Sequence, residues 1–236
     1  MRHNGAVMRA VLLVALLGLA VMLLACGGDG EGEAPPADEI VAKAAAAAGG
    51  LRSFHFRLDH ENGTTPILMG LELVSAEGEV APPDRLQAEV RAKAMGSVSV
   101  TVNVVGIGER AWVTNPFTRQ WQEQRDVRIG DIADPARLVV GVLQGVREAR
   151  VVKRTEVDGA DVYQLAGKLD SGALEGALPF VEAGRTVSVE VWVGVDDSLP
   201  RRARISGPLS AGEEEDIVRQ VDLSRFDADV DIQPPE

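Results

Sequence analysis

The one thiol in the 236-residue chain, Cys26, closes the string Leu23-Leu24-Ala25-Cys26 at the end of an apolar run. Arg2 and Arg9 stand ahead of that run, which extends from Ala10 to Ala25. A basic start, a short apolar stretch and a small residue before the cut are the layout of a secretory signal. Leu-Leu-Ala-Cys is also the bacterial lipoprotein box, in which cleavage before the cysteine lets its thiol carry a diacylglycerol. The chemistry assigned to Cys26 is therefore lipidation, an anchor and not a catalyst. The alternative, an uncleaved transmembrane anchor, needs about 20 apolar residues, and the run falls short of that. Both readings put the rest of the chain outside the cytoplasm. With no second cysteine there is no internal disulfide, so the fold must stand on its core alone.

Other residues with reactive chemistry are few. His3 leaves with the signal, and His55 and His60 remain. An odd spacing on one strand puts these two on opposite faces, where they share neither a metal nor a triad, and both read as surface or edge residues. No Gly-x-Ser-x-Gly elbow is present. Gly106-Ile107-Gly108-Glu109-Arg110-Ala111 fits the dinucleotide fingerprint on paper. That motif works only where a helix begins, and Trp112-Val113-Thr114-Asn115-Pro116 reads as strand and turn. Asp227, Asp229 and Asp231 resemble the start of a calcium loop, but Ile232 stands where position six needs glycine, Gln233 follows it, and the chain ends too soon. The acidic run 213–216 reads as a solvated turn. The residues supply no catalytic set, no metal site and no cofactor site, so an enzyme is not expected.

Charge and composition narrow the partners. Without residues 1–25 the chain keeps 22 basic against 36 acidic side chains, a net charge of about −14. Such a surface argues against nucleic acid or anionic headgroups held by charge. Aromatic residues make up 4% of the chain, too few for the platforms of a carbohydrate-binding face.

The elements that must position any site follow from periodicity. Residues 27–37 have none and form a flexible tether, able to span some 35 Å when taut. A helix is expected over 38–48, N-capped by Asp38, Ala-rich, and stopped by Gly49-Gly50. From Ser53 the apolar period changes to two, giving strands at 53–61, 67–76, 85–94, 97–105, 109–114 and 119–122. A second helix over 134–144 has Asp134 as N-cap and Pro135 at its first position. Strands follow at 149–157, 162–169, 186–195, 199–205 and 216–223, with a short helical piece at 171–177. The domain organisation is a signal over 1–25, a lipidated cysteine and tether over 26–37, one domain over 38–232 and a tail over 233–236. The fold class is α+β, a large curved antiparallel sheet with a few helices on its concave face.

Slim side chains on such a sheet suggest a hollow. Alanine and valine fill space poorly, so an apolar cavity is expected between sheet and helices. Its candidate lining is Met69, Leu71 and Leu73 on the second strand, and Leu86 and Val90 on the third. Val98, Val100 and Val102 on the fourth, Leu138 and Val142 on the helix, and the row Val187, Val189, Val191 and Val193 complete it. An acyl chain burying ten methylenes there would gain about 8 kcal/mol before the costs of association.

Several segments carry a family resemblance. They are the lipoprotein box, the Ala-rich helix leading into Leu51-Arg52-Ser53-Phe54-His55-Phe56, and Ala111-Trp112-Val113-Thr114-Asn115-Pro116-Phe117-Thr118-Arg119-Gln120-Trp121. Asp134-Pro135, Val157-Asp158-Gly159-Ala160-Asp161-Val162-Tyr163, Val189-Glu190-Val191-Trp192-Val193-Gly194 and Leu199-Pro200-Arg201-Arg202 join them. Over residues 38–230 the pattern resembles the LppX/LprG family of mycobacterial cell-envelope lipoproteins. The resemblance implies a half-barrel similar to the Lol lipoprotein carriers, with a hydrophobic cavity for lipids bearing several acyl chains and no catalytic residues. The function that follows is a membrane-anchored carrier or chaperone for lipid or glycolipid. The alternative is an envelope module that transports nothing and docks to a protein through a sheet edge or through Trp112, Trp121 and Trp192.

Overall fold

The computed structural model describes residues 34–67, 70–124, 135–178 and 181–236. Its compact unit Pro35–Glu236 opens with helix α1 (Ala37–Gly49). Pro36 stands at the N-cap position and offers no side-chain cap. Asp38, expected as the cap, lies inside the first turn with Glu39, where both carboxylates face the positive end of the helix dipole. Ile40, Val41, Ala44 and Ala48 are its buried stripe.

The chain then builds β1 (Phe54–Asn62), β2 (Thr65–Ile67), β3 (Leu71–Ala81), β4 (Arg85–Ala94), β5 (Val98–Ile107), β6 (Arg110–Thr114) and β7 (Trp121–Gln124). Helix α2 (Pro135–Gly145) follows, then β8 (Val146–Val157), β9 (Ala160–Asp170) and a 3₁₀ turn, Ser171–Leu174. Last come β10 (Thr186–Gly194), β11 (Pro200–Ser206) and β12 (Val218–Ser224). The N-cap expected at Asp134 falls outside the described residues. Strand β3 runs further than its expected range because the pairing with β4 continues to Ala81↔Arg85.

The twelve described strands join one open antiparallel sheet, eleven of them in the order β7-β6-β5-β4-β3-β1-β12-β11-β10-β9-β8. The chain closes its two halves by placing β12 beside β1, with Phe56 opposite Leu223. Strand β2 pairs with β3 in the lane that β1 vacates, after a register shift between His60 and Asn62. Further shifts fall at Leu73/Ser75, Trp192/Val193 and Arg147/Arg150, and such bulges bend a strand and increase its twist. The sheet is thus the curved antiparallel sheet the alternation implied, in the half-barrel form the family resemblance implied. Its edges are protected: β7 is four residues long, and β8 carries Arg147, Arg150, Lys153 and Arg154.

Two core clusters lie nearest the helices and the centre of the sheet. Under the helices, Ile40, Val41 and Ala44 of α1 and Val142 and Leu143 of α2 pack on Leu165, Leu169 and the row Val187, Val189, Val191 and Val193. The contact is close because small residues permit it. A Cβ on Gly145 would sit 2.5 Å from Ala173 Cβ and Leu169 Cδ1, so only glycine lets α2 approach there. The second cluster, Leu51, Phe54, Phe56, Val80, Leu86, Ala88 and Leu223, occupies the sheet around β1. There Phe56 pairs with Gly78, which in turn pairs with Ala88, so the ring lies beside two positions too small to crowd it.

Candidate functional site

The even positions of β1, Phe54, Phe56, Leu58 and His60, face one side of the sheet and form a wall of a cavity of about 420 Å³. Strands β3 and β4 add Leu73, Ala76, Leu86, Ala88 and Val90, and β12 adds Val221 and Leu223. The N-terminal half of α2 covers the cavity with Pro135, Leu138 and Val139, and Leu178 closes alongside. The volume lies within the range of small-molecule pockets. At about 30 Å³ per water-sized group it holds about fourteen such groups, the length of one acyl chain.

Of the residues expected to line a cavity, Leu73, Leu86, Val90 and Leu138 do so. Met69 lies outside the described residues. Leu71 and Val100 instead pack with Ala92 and Ala94 in a separate cluster toward the β4–β5 turn. Val98 begins β5 at that turn and is 45% exposed, and Val102 is buried away from the cavity wall. Val142 and the row Val187, Val189, Val191 and Val193 are core beneath the two helices, the four valines no more than 3% exposed. The physical reason reverses the premise of the sequence reading. Slim side chains let a helix settle onto the sheet at interior packing density, leaving nothing between. Space opens where Pro135, Leu138 and Val139 of α2 face Phe54, Phe56, Leu73 and Leu86 of β1, β3 and β4 across the cavity.

One corner of the cavity is polar. His60 and Thr65 line it together with Arg219, which shares the inward parity of Val221 and Leu223 on β12. His60 Nδ1 lies 2.9 Å from the Val74 carbonyl and Nε2 2.9 Å from Thr65 Oγ1. The Thr65 hydroxyl donates to Glu213 Oε1 at 2.7 Å, and the Leu209 amide donates to Oε2 at 2.6 Å. Arg219 Nη2 meets Glu213 Oε1 at 2.8 Å, with both side chains buried. Burial pushes the His60 imidazole below its ordinary pKa, aided by the charge on Arg219 and opposed by the bond to Val74. Burial likewise lowers Arg219, against the pull of Glu213.

This corner overturns two surface readings. His60 is a wall residue, although His55 does occupy the other face, where Nε2 meets Glu77 at 3.2 Å. Glu213 is not part of a solvated turn: its side chain is fully buried, while Glu214, Glu215 and Asp216 remain exposed. The signal for Arg219 was its parity with Val221 and Leu223, whereas nothing local marks Glu213 apart from its acidic neighbours. Among the three tryptophans, Trp112 is buried beneath Val105 and Ile232 with Arg110 stacked 4.5 Å over its ring, so it presents no docking face. Among the described residues no group of three or more His, Cys, Asp or Glu is placed to hold a metal, and no helix is long and apolar enough to cross a membrane.

Comparison with known proteins places this architecture. The model of the LppX_LprAFG lipoprotein family matches residues 36–232. The crystal structure of LprF from Mycobacterium bovis is similar, with a TM-score of 0.66 and 18% identity over 86% of this chain and 99% of that one. Lipoprotein LppX from Mycobacterium tuberculosis gives 0.56 and 18% over 83% and 97%. No curated protein sequence matches.

Proposed function

Because the chain belongs to the LppX_LprAFG lipoprotein family, we propose that it is an extracytoplasmic, membrane-anchored lipoprotein whose cavity takes up an acyl chain of a lipid or glycolipid, as a carrier or chaperone. The observation that carries this reading is the apolar cavity of about 420 Å³ between α2 and the β1–β3–β4 wall. Filling it with about fourteen methylenes contributes about 11 kcal/mol, against association costs of about 4–15 kcal/mol. The gain is of the same size as the cost, which keeps binding reversible, as transfer requires.

The N-terminal segment has a matching role. Residues 1–25 serve as the signal, Cys26 carries the lipid, and residues 27–37 let the domain move over the membrane. Two or more acyl chains give stable attachment where one does not. The lining proposed for the ligand is Leu73, Leu86, Val90 and Leu138, joined by Phe54, Phe56, Leu58, Val221 and Leu223.

The test uses a chain beginning at residue 27. All described elements and core clusters lie within Pro35–Glu236, and the LprF crystal chain aligns over 99% of its length, so this unit carries its own core. Solvent extraction of the purified protein followed by mass spectrometry should recover lipid in near-stoichiometric amount. A folded protein that neither retains lipid nor takes it up from vesicles would refute the reading.

A further inference from the structure

Arg219 is 5% exposed, lines the cavity, and is poorly satisfied. Among the described residues its Nε and Nη1 reach no acceptor, and Nη2 has only the contact with Glu213. Glu213 has little left to give, since its two oxygens already take the Thr65 hydroxyl and the Leu209 amide. His60 is committed to Val74 and Thr65. A guanidinium has five N–H donors in a planar fork that matches a carboxylate or phosphate. Buried donors without acceptors are costly, and the side chain that bears them lines an apolar chamber sized for one alkyl chain.

We propose that Arg219 anchors the oxyanion headgroup of a single-chain lipid that enters the cavity head first, its alkyl tail lying along Val221, Leu223 and Phe56. This rests on the cavity being a lipid site and specifies which lipid. The headgroup chemistry is an oxyanion on an alkyl chain, and the structure favours a carboxylate, the acid group of a free fatty acid. Glu213 and Arg219 together are neutral, so a monoanion leaves one net negative charge in the buried corner where a phosphate dianion leaves two. The planar carboxylate also accepts two parallel bonds from the edge formed by Nε and the second N–H of Nη2.

Three probes of equal chain length separate the alternatives: palmitate, methyl palmitate and hexadecyl phosphate, each competed against a neutral fluorescent alkyl probe on the chain beginning at residue 27. Palmitate should bind at least tenfold more tightly than its methyl ester. The double substitution Arg219→Met with Glu213→Gln removes both charges at once, and should abolish the preference for palmitate over its ester, bringing their affinity ratio to about one. Palmitate labelled with ¹³C at the carboxyl should shift its resonance between the wild type and the double variant. Equal binding of acid and ester by the wild type, a comparison that needs no variant, means that solvent satisfies Arg219; the anchor is then overturned and the lipid cavity stands. Failure of all three probes overturns both. Preference for hexadecyl phosphate over palmitate overturns the carboxylate assignment.

Discussion

Val90→Phe offers a quantitative test of the cavity. Val90 lies on β4 between Ala76 and Val102, with its side chain on the cavity wall. For neutral alkyl esters each added methylene should contribute about 0.8 kcal/mol, roughly fourfold in affinity. The gain should stop near fourteen carbons, where about 420 Å³ is full. Phenylalanine brings about four more carbons than valine into the same space. The plateau should therefore fall to about ten carbons, and a fourteen-carbon ester should lose about 3 kcal/mol, on the order of a hundredfold. The assay is displacement of a fluorescent alkyl probe by esters of eight to eighteen carbons, with circular dichroism and thermal unfolding to verify the fold. Val191→Trp is the contrast: at 2% exposure beneath α1 and α2 it should cost about 1–3 kcal/mol of stability through overpacking, with the plateau unmoved. A folded Val90→Phe protein that keeps the wild-type plateau, or a wild type indifferent to chain length, would refute the argument.

Three further outcomes are expected. Gly145→Val should destabilise the protein by about 1–3 kcal/mol in urea unfolding, because its Cβ collides with Ala173 and Leu169. Arg219→Met alone should cost about 3–5 kcal/mol by leaving Glu213 charged and buried, and adding Glu213→Gln should recover most of that loss. His60 should make stability fall with acidification. The unfolded chain protonates it near its ordinary value of 6.5, while the folded chain refuses the proton until lower pH, so stability is lost as pH drops from 6.5 through the depressed folded value. Urea titrations at a series of pH values should show that part of the slope disappear in His60→Gln.

Parity along each strand was legible without coordinates. Arg85–Ala94 alternates apolar and charged residues so cleanly that its bounds, and the inward set Leu86, Ala88, Val90 and Ala92, coincide with the structure. The Ala-rich first helix, the Pro135 start of the second and the valine row of β10 were equally local facts. These features follow from backbone geometry, in which every second residue of a strand, or every third or fourth of a helix, shares a face.

Where the hollow lies was a tertiary decision. Periodicity says which side chains point inward, but not how far the opposing element stands off. The β10 valines and the β4 leucine and valine read alike in sequence, yet α1 and the C-terminal half of α2 pack on the former, while a cavity separates the latter from the N-terminal half of α2. Glu213 makes the same point for charge. It belongs to an acidic run, and only the pairing of β12 with β1, joining residues more than 150 positions apart, brings it beneath Thr65 and Arg219. Burial of a charge depends on what distant strands place around it, and no local pattern encodes that distance.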